Sequence, residues 1–116
     1  MASRMTSATR AMQVWHVLIA AADSRRTLTY EQLGEIVGMG GAGVFAHILG
    51  LIMNYCRKNK LPPLTCLVVK KRTGIPGTGL RGIRNLPEDR ETVYRERWYK
   101  KFPVQISDFQ EIAGRS

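Results

Sequence analysis

The middle of this chain lacks acidic residues: no aspartate or glutamate occurs between Glu35 and Glu88. The same stretch holds eight of the 18 lysine and arginine residues, so its positive charge has no acidic counterpart nearby in the sequence. Proteins without a polyanionic partner usually carry both signs of charge interspersed over their surface. The absence therefore favours a nucleic-acid partner over a cationic surface that is simply solvated. The eight residues are Arg57, Lys58, Lys60, Lys70, Lys71, Arg72, Arg81 and Arg84.

Metal ligands, disulfides and membrane spans are also scarce. The two cysteines, Cys56 and Cys66, fit neither a zinc motif nor a disulfide framework. With only two histidines, a four-ligand metal site would need carboxylates, which the central region lacks. The longest apolar run, Val14–Ala22, is interrupted by His16 and is too short to cross a bilayer. Because this run leads into the charged segment 23–26, we do not interpret it as part of a signal peptide. We expect a cytoplasmic protein with no cofactor, no metal and no membrane partner.

The residues that are present suffice for one domain with one modest core. Apolar residues at helical spacing predict a first helix over residues 8–23. Thr29, with Gln32 three residues later, has the pattern of a capping box and predicts a second helix to about Val37. A glycine-rich turn and a third helix, about 44–58, follow. Two helices joined by a short glycine-rich turn predict a helix-turn-helix.

The segment after the third helix predicts a small β-structure. Residues 64–70, Leu-Thr-Cys-Leu-Val-Val-Lys, are typical of a strand. Residues 71–79 contain three glycines and a proline and resemble the wing of a winged helix, with residues 80–84 as the returning strand. In that position Lys70, Lys71 and Arg72 would touch phosphate.

Helices are predicted again in the C-terminal part. One begins at Pro87 and runs to about Lys100, and a short one covers residues 108–113 after a cap at Ser107. The predicted fold class is mostly α with a small β wing (α+β). It comprises a winged helix-turn-helix domain over residues 8–84 and a helical extension, 85–116, packed on the same domain.

The third helix would be the recognition helix, which enters the major groove of DNA by its N-terminal end. Gly43, Phe45 and His47 occupy that end and have few groups that can read base edges, so we expect weak sequence specificity. A phenylalanine in such a helix is more often a core residue than an intercalating one, so the sequence favours a core role for Phe45 over DNA contact. The predicted DNA contacts are Tyr30, Gly43, Phe45, His47, Arg57, Lys58, Lys60, Lys70, Lys71, Arg72, Arg81 and Arg84, and we expect the cations to gather on one side of the molecule.

Several motifs, in the same order, resemble the DNA-binding domain of O6-alkylguanine-DNA alkyltransferases. Residues 28–38 resemble the start of that domain, and Ala46-His47-Ile48-Leu49-Gly50 resembles its Ala-Arg-Ala-Val-Gly helix. Residues 59–64 resemble its Asn-Pro-x-Pro-x-Leu hinge. Val68-Val69 and the glycines that follow resemble its strand and glycine-rich loop. The resemblance covers residues 28–80 and implies a winged-helix DNA-binding domain in which Tyr30 contacts the DNA.

The chain departs from this family at the active site, where the family has Pro-Cys-His-Arg-Val-Val. The corresponding run here is Leu-Thr-Cys-Leu-Val-Val over residues 64–69. With the valines aligned, Thr65 takes the position of the nucleophile; with Cys66 aligned instead, Leu67 stands where a histidine is needed. A cysteine acts as a nucleophile only as a thiolate, which needs a base or a cation beside it. We therefore expect no alkyl transfer and no catalytic residue.

Three functions fit the sequence. The first is a non-enzymatic winged-helix protein that binds double-stranded DNA mainly through phosphates and is associated with the nucleoid. The second is an alkyltransferase-like protein that recognises damaged guanine without transferase activity. The third is a protein-protein adaptor that uses the aromatic segment Tyr94–Ile112. Charge alone does not distinguish DNA from RNA, and the sequence leaves the oligomeric state open.

Overall fold

The computed structural model describes residues 6–38, 42–71, 86–99 and 104–114. Within them the chain is mainly helical, with one pair of very short strands, which confirms the predicted class of mostly α with a small β component. The predicted wing falls largely on residues 72–84, which lie outside the described residues. The elements are α1 (Ser7–Asp23), β1 (Leu28–Thr29), α2 (Tyr30–Val37), α3 (Ala42–Lys58), a 3-10 helix (Leu64–Leu67), β2 (Val68–Val69), α4 (Leu86–Arg95) and α5 (Ile106–Gly114).

The core is built around α1, whose apolar residues recur every three or four positions and are buried along one side. Both α3 and α5 pack on α1 and on each other. The Trp15 ring of α1 lies edge-on to Tyr55 of α3 and to Trp98, with ring centroids 5.3 and 5.5 Å apart, and tilted against Phe109 of α5 at 6.1 Å. One aromatic cluster therefore joins α1, α3 and the C-terminal segment.

The predicted capping box at the start of α2 is confirmed. The Thr29 hydroxyl accepts a hydrogen bond from the Gln32 backbone N–H at 3.1 Å, and the Gln32 side chain accepts one from the Thr29 N–H at 3.0 Å. The helix ends at Val37, and the next residue, Gly38, has a left-handed φ of 69°, which suits glycine. The Arg10 guanidinium of α1 donates to the Val37 carbonyl at 2.6 Å and so fixes the end of α2 against α1.

The two strands pair in parallel, with Leu28 opposite Val68 and Thr29 opposite Val69. The predicted strand over residues 64–70 is wrong in its first four residues, which form a 3-10 helix instead. All four of these residues are completely buried, and the turn packs against α1, α3 and α4. Because helices pack around this turn, all four consecutive side chains can be buried in it. Tertiary packing therefore overrides the β-propensity of the segment.

The C-terminal helices differ from their predicted bounds. Helix α4 ends at Arg95 rather than near Lys100, because the Trp98 indole N–H donates to the Val93 carbonyl at 2.9 Å and takes the acceptor that a further helical turn would use. The predicted cap at Ser107 is also wrong. Helix α5 begins at Ile106, and the Asp108 carboxylate accepts from the Gln105 backbone N–H at 2.8 Å.

Candidate nucleic-acid interface

One side of α3 is exposed along most of its length. The opposite side packs into the core, as the helical spacing of its apolar residues requires. The exposed side carries no acidic residue, and neither α5 nor any other described element covers it. From Phe45 onward, where side chains are described, its exposed residues are Ala46, His47, Asn54, Arg57 and Lys58, with Gly50 half-buried between them.

Phe45 is placed differently from the predicted contact residues beside it. Its side chain is only 3% exposed, and its ring lies 6.3 Å from that of Tyr30 in an edge-to-face arrangement. Phe45 therefore has the core role that the sequence favoured, and its inclusion among the predicted DNA contacts is wrong, because its ring is not part of the candidate surface. His47 is exposed two residues further along α3, and Gly43 lies in the first turn of that helix.

The parallel strand pair brings Tyr30 next to two of the predicted cations. Tyr30 follows β1 directly, and Lys70 follows β2 directly. Because Thr29 is opposite Val69 in a parallel pair, β1 and β2 both end at the same edge of the sheet. Tyr30 is half-buried against Phe45, whereas Lys70 and Lys71 are exposed. We call Tyr30, Lys70 and Lys71 the sheet-edge cluster, and through Phe45 it adjoins the start of α3.

A second group of cations lies at the other end of α3. Arg57, Lys58 and Lys60, which we call the α3 terminal cluster, are all exposed. The Lys58 ammonium forms an ion pair with the Glu111 carboxylate of α5 at 3.0 Å, so this lysine is partly neutralised within the chain. About 18 Å of helix separate Phe45 from Arg57, at 1.5 Å per residue.

The described cations of the acid-free segment therefore form two groups, one at the sheet edge and one at the end of α3. That the cations gather on one side of the molecule stays a prediction. Arg72, Arg81 and Arg84 lie outside the described residues. The sequence interpretation missed Asn54 and Gly50, which the structure places on the exposed side of α3 between the two clusters. The sequence did contain the information needed to find them. Gly50 and Asn54 lie at helical spacing from His47, on the side of the helix away from the apolar positions.

The segment that the resemblance would align with the alkyltransferase active site is closed to solvent. Thr65 and Cys66 are both 0% exposed, and the Thr65 hydroxyl lies 3.9 Å from the sulfur of Met53. Burial raises the pKa of the Cys66 thiol to about 12, although the positive charge of Arg90 lowers it in part. Burial also raises the pKa of the Cys56 thiol to about 12. At neutral pH both side chains are therefore protonated thiols.

Two further searches concern metals and membranes. In the described part of the chain, no three histidine, cysteine, aspartate or glutamate side chains lie close enough to hold a metal ion. The described helices also fall short of the length and apolar content that a bilayer crossing requires.

Comparisons of the chain with known protein families, with curated proteins and with solved structures gave no match.

Proposed function

We propose that this chain is a non-enzymatic, nucleoid-associated protein that binds double-stranded DNA mainly through the phosphate backbone and with low sequence specificity. In this proposal α2 and α3 form a helix-turn-helix, and the glycine-rich residues 71–79 form a wing, with residues 80–84 as its returning strand. Contact is made by the exposed side of α3 and by the cationic clusters at its two ends.

One observation carries the proposal: the exposed side of α3 is free of acidic residues, and exposed cations lie near both ends of the helix. The sheet-edge cluster adjoins the start of α3 through the contact of Tyr30 with Phe45, and the α3 terminal cluster lies at its other end. An α-helix fits the major groove of DNA, and cations at both ends of such a helix can meet phosphates on both sides of the groove.

The residues on the exposed side account for low sequence specificity. Ala46 and Gly50 have no polar side-chain atoms, so they permit close approach without reading a base. Apart from Arg57 and Lys58, His47 and Asn54 are the polar side chains described on this side, and two such groups can discriminate only a few base edges. Most of the binding free energy would then come from phosphate contacts, which are the same for every sequence.

The experiment is a salt titration of binding to a fluorescently labelled duplex of arbitrary sequence, followed by anisotropy. If about six cations contact phosphate, log K should fall against log salt with a slope of roughly −5. Lys70→Glu should weaken binding to every duplex alike and make the slope shallower. Arg97→Glu is the matched control, because it changes the net charge equally at an exposed residue outside both clusters.

Two outcomes would contradict the proposal. A flat salt dependence would exclude binding through phosphates. Equal weakening by Lys70→Glu and Arg97→Glu would mean that net charge, rather than the sheet-edge cluster, drives association. The same experiment should include structured RNA as a competitor of the labelled duplex. If the protein binds the RNA more tightly than the duplex, RNA rather than DNA is its partner.

The structure offers the two alternative functions no specific support. Recognition of a damaged guanine would need a pocket near Thr65 and Cys66, and both residues are closed to solvent. An adaptor surface in the aromatic segment would need exposed apolar side chains. Tyr99 and Ile106 are exposed there, but the larger part of its aromatic surface is not available, because Trp98 and Phe109 are buried against Trp15. We therefore retain DNA binding as the proposal.

A further inference from the structure

Three helices in the described residues end with a residue in the left-handed conformation. Gly38 follows α2 with φ 69°, Arg25 follows α1 with φ 53°, and Lys60 follows α3 with φ 55°. Glycine adopts this conformation without strain, whereas the Cβ of any other residue is crowded against the backbone. Two of the three helices therefore end with a residue that is less favourable than glycine.

The backbone explains why a left-handed residue is needed after α3 but does not explain why it is a lysine. The Lys60 N–H donates to the Arg57 carbonyl at 3.2 Å, and the Leu61 N–H donates to the Cys56 carbonyl at 2.7 Å. This pair of hydrogen bonds is the Schellman motif, in which glycine is the usual left-handed residue. The same pair of bonds closes α1 at Arg25.

Arg25 has a local reason to be arginine. Its guanidinium forms an ion pair with the Glu91 carboxylate at 3.0 Å and lies over the Tyr94 ring, 5.5 Å from the centroid. These contacts fasten the end of α1 to α4. The Lys60 side chain has no equivalent, because no ion pair or hydrogen bond joins its ammonium to any residue that the structure describes.

Lys60 lies close in the chain to two other cations, Arg57, which is exposed, and Lys58. Helix α5 brings Glu111 to this end of α3, and its carboxylate pairs with Lys58 rather than with Lys60. The acid-free segment also separates Lys60 from the nearest acidic residues in the sequence, which are Glu35 and Glu88. An exposed ammonium kept in a strained backbone position, with no partner in the described fold, indicates a role towards an external anion.

We propose that Lys60 is a phosphate-contacting residue, present in place of a more stabilising glycine because its ammonium binds the DNA backbone together with Arg57. This inference rests on the proposed DNA binding and adds a location to it. A phosphate of the duplex lies at the C-terminal end of α3, beyond the helix itself, and the sheet-edge cluster contacts a different phosphate.

Lys60→Gly tests the inference, because it should change stability and binding in opposite directions. Relief of the left-handed strain should raise Tm by about 4 °C. Loss of one phosphate contact should reduce the salt slope by about 0.9, which corresponds to roughly eight-fold weaker binding at 0.1 M salt. A variant that failed to fold would not show a higher Tm together with weaker binding. Lys60→Arg, which keeps the charge, should retain the slope of the unaltered protein.

Arg25→Gly is the matched control, since it places glycine in the same backbone motif at a residue whose side chain serves the fold. It should leave the salt slope unchanged. The inference is overturned if Lys60→Gly keeps the full slope and affinity, or if it fails to raise Tm. A flat salt dependence of the unaltered protein would instead remove the proposed function, and this inference with it.

Discussion

Thr65 and Cys66 occupy the segment where the resemblance to the alkyltransferases places the reactive residues, yet water reaches neither side chain. A thiol in such surroundings loses the hydration that stabilises its anion, and this raises its pKa. Cys56 on α3 experiences the same effect. At the residue scale, burial therefore leaves two inert thiols that act as small apolar side chains.

The raised thiol pKa values predict a loss of stability at alkaline pH. The unfolded chain loses each thiol proton near pH 9, whereas the folded chain keeps it until about pH 12. Between these values the unfolded state binds fewer protons, so the free energy of unfolding should fall by about 1.4 kcal/mol per pH unit for each thiol. Urea denaturation from pH 8 to pH 11 measures this decline.

The control for the alkaline decline is the double variant Cys56→Ala, Cys66→Ala. Other groups, including Tyr55, whose pKa is raised mainly by burial, also titrate in this range. The variant should therefore retain a shallower decline. Identical pH dependence of the two proteins would show that the thiols keep an ordinary pKa in the folded state.

At the element scale, α3 combines a strongly buried side with an exposed side that lacks acids. Gly50 lies in the middle of this 17-residue helix, and a Cβ added there would meet no atom within 4 Å. Packing within the described fold therefore does not require glycine at this position. A glycine in a helix interior is normally destabilising relative to alanine.

Gly50→Ala should stabilise the fold and weaken DNA binding. The gain in stability should be about 1 kcal/mol, from helix propensity. If a duplex packs closely on this side of α3, the added methyl should cost roughly 1 kcal/mol of binding, or about five-fold in affinity. Chemical denaturation and duplex anisotropy measure the two effects separately.

The control for Gly50→Ala is Gly114→Ala at the end of α5, where an added Cβ would also meet no atom within 4 Å. That change should leave affinity unaltered. If Gly50→Ala binds DNA as tightly as the unaltered protein, the middle of α3 is not in close contact with the duplex, and binding must involve its ends alone.

At the scale of the whole molecule, the C-terminal segment is part of the core. Trp98 is 6% exposed, stacks edge-on with Trp15, and donates its indole N–H to the Val93 carbonyl. Phe109 and Ile112 of α5 belong to the same buried cluster. The aromatic residues of this segment therefore hold α4 and α5 on α1.

Trp98→Ala should destabilise the whole protein rather than a separate part of it. Loss of a large buried aromatic side chain costs about 3–5 kcal/mol, a large share of the 5–15 kcal/mol that is typical of a domain. Tyr99→Ala, at a neighbouring residue that is 64% exposed, should change stability by less than about 0.5 kcal/mol. Equal stability of the two variants in urea would show that Trp98 contributes little to the core.

The features that could be predicted from the sequence depend on local interactions. The capping box of Thr29 and Gln32 was predictable because both partners lie within one helical turn. The helical spacing in α1 and α3 likewise identified their buried sides. The 3-10 helix at residues 64–67 was not predictable, because it depends on packing against helices distant in sequence. The early end of α4 was not predictable either, because the Trp98 ring that donates to Val93 is held by its packing on Trp15.

The candidate site divides in the same way. The sequence by itself determined that the chain has an acid-free cationic segment and a long amphipathic helix within it. Both features follow directly from the types of the residues and their order in the chain. Only the tertiary structure decided that Phe45 turns into the core, that Glu111 neutralises Lys58, and that Tyr30 and Lys70 share one sheet edge. Each of these depends on contacts between segments that are far apart in the chain and meet only when the core forms.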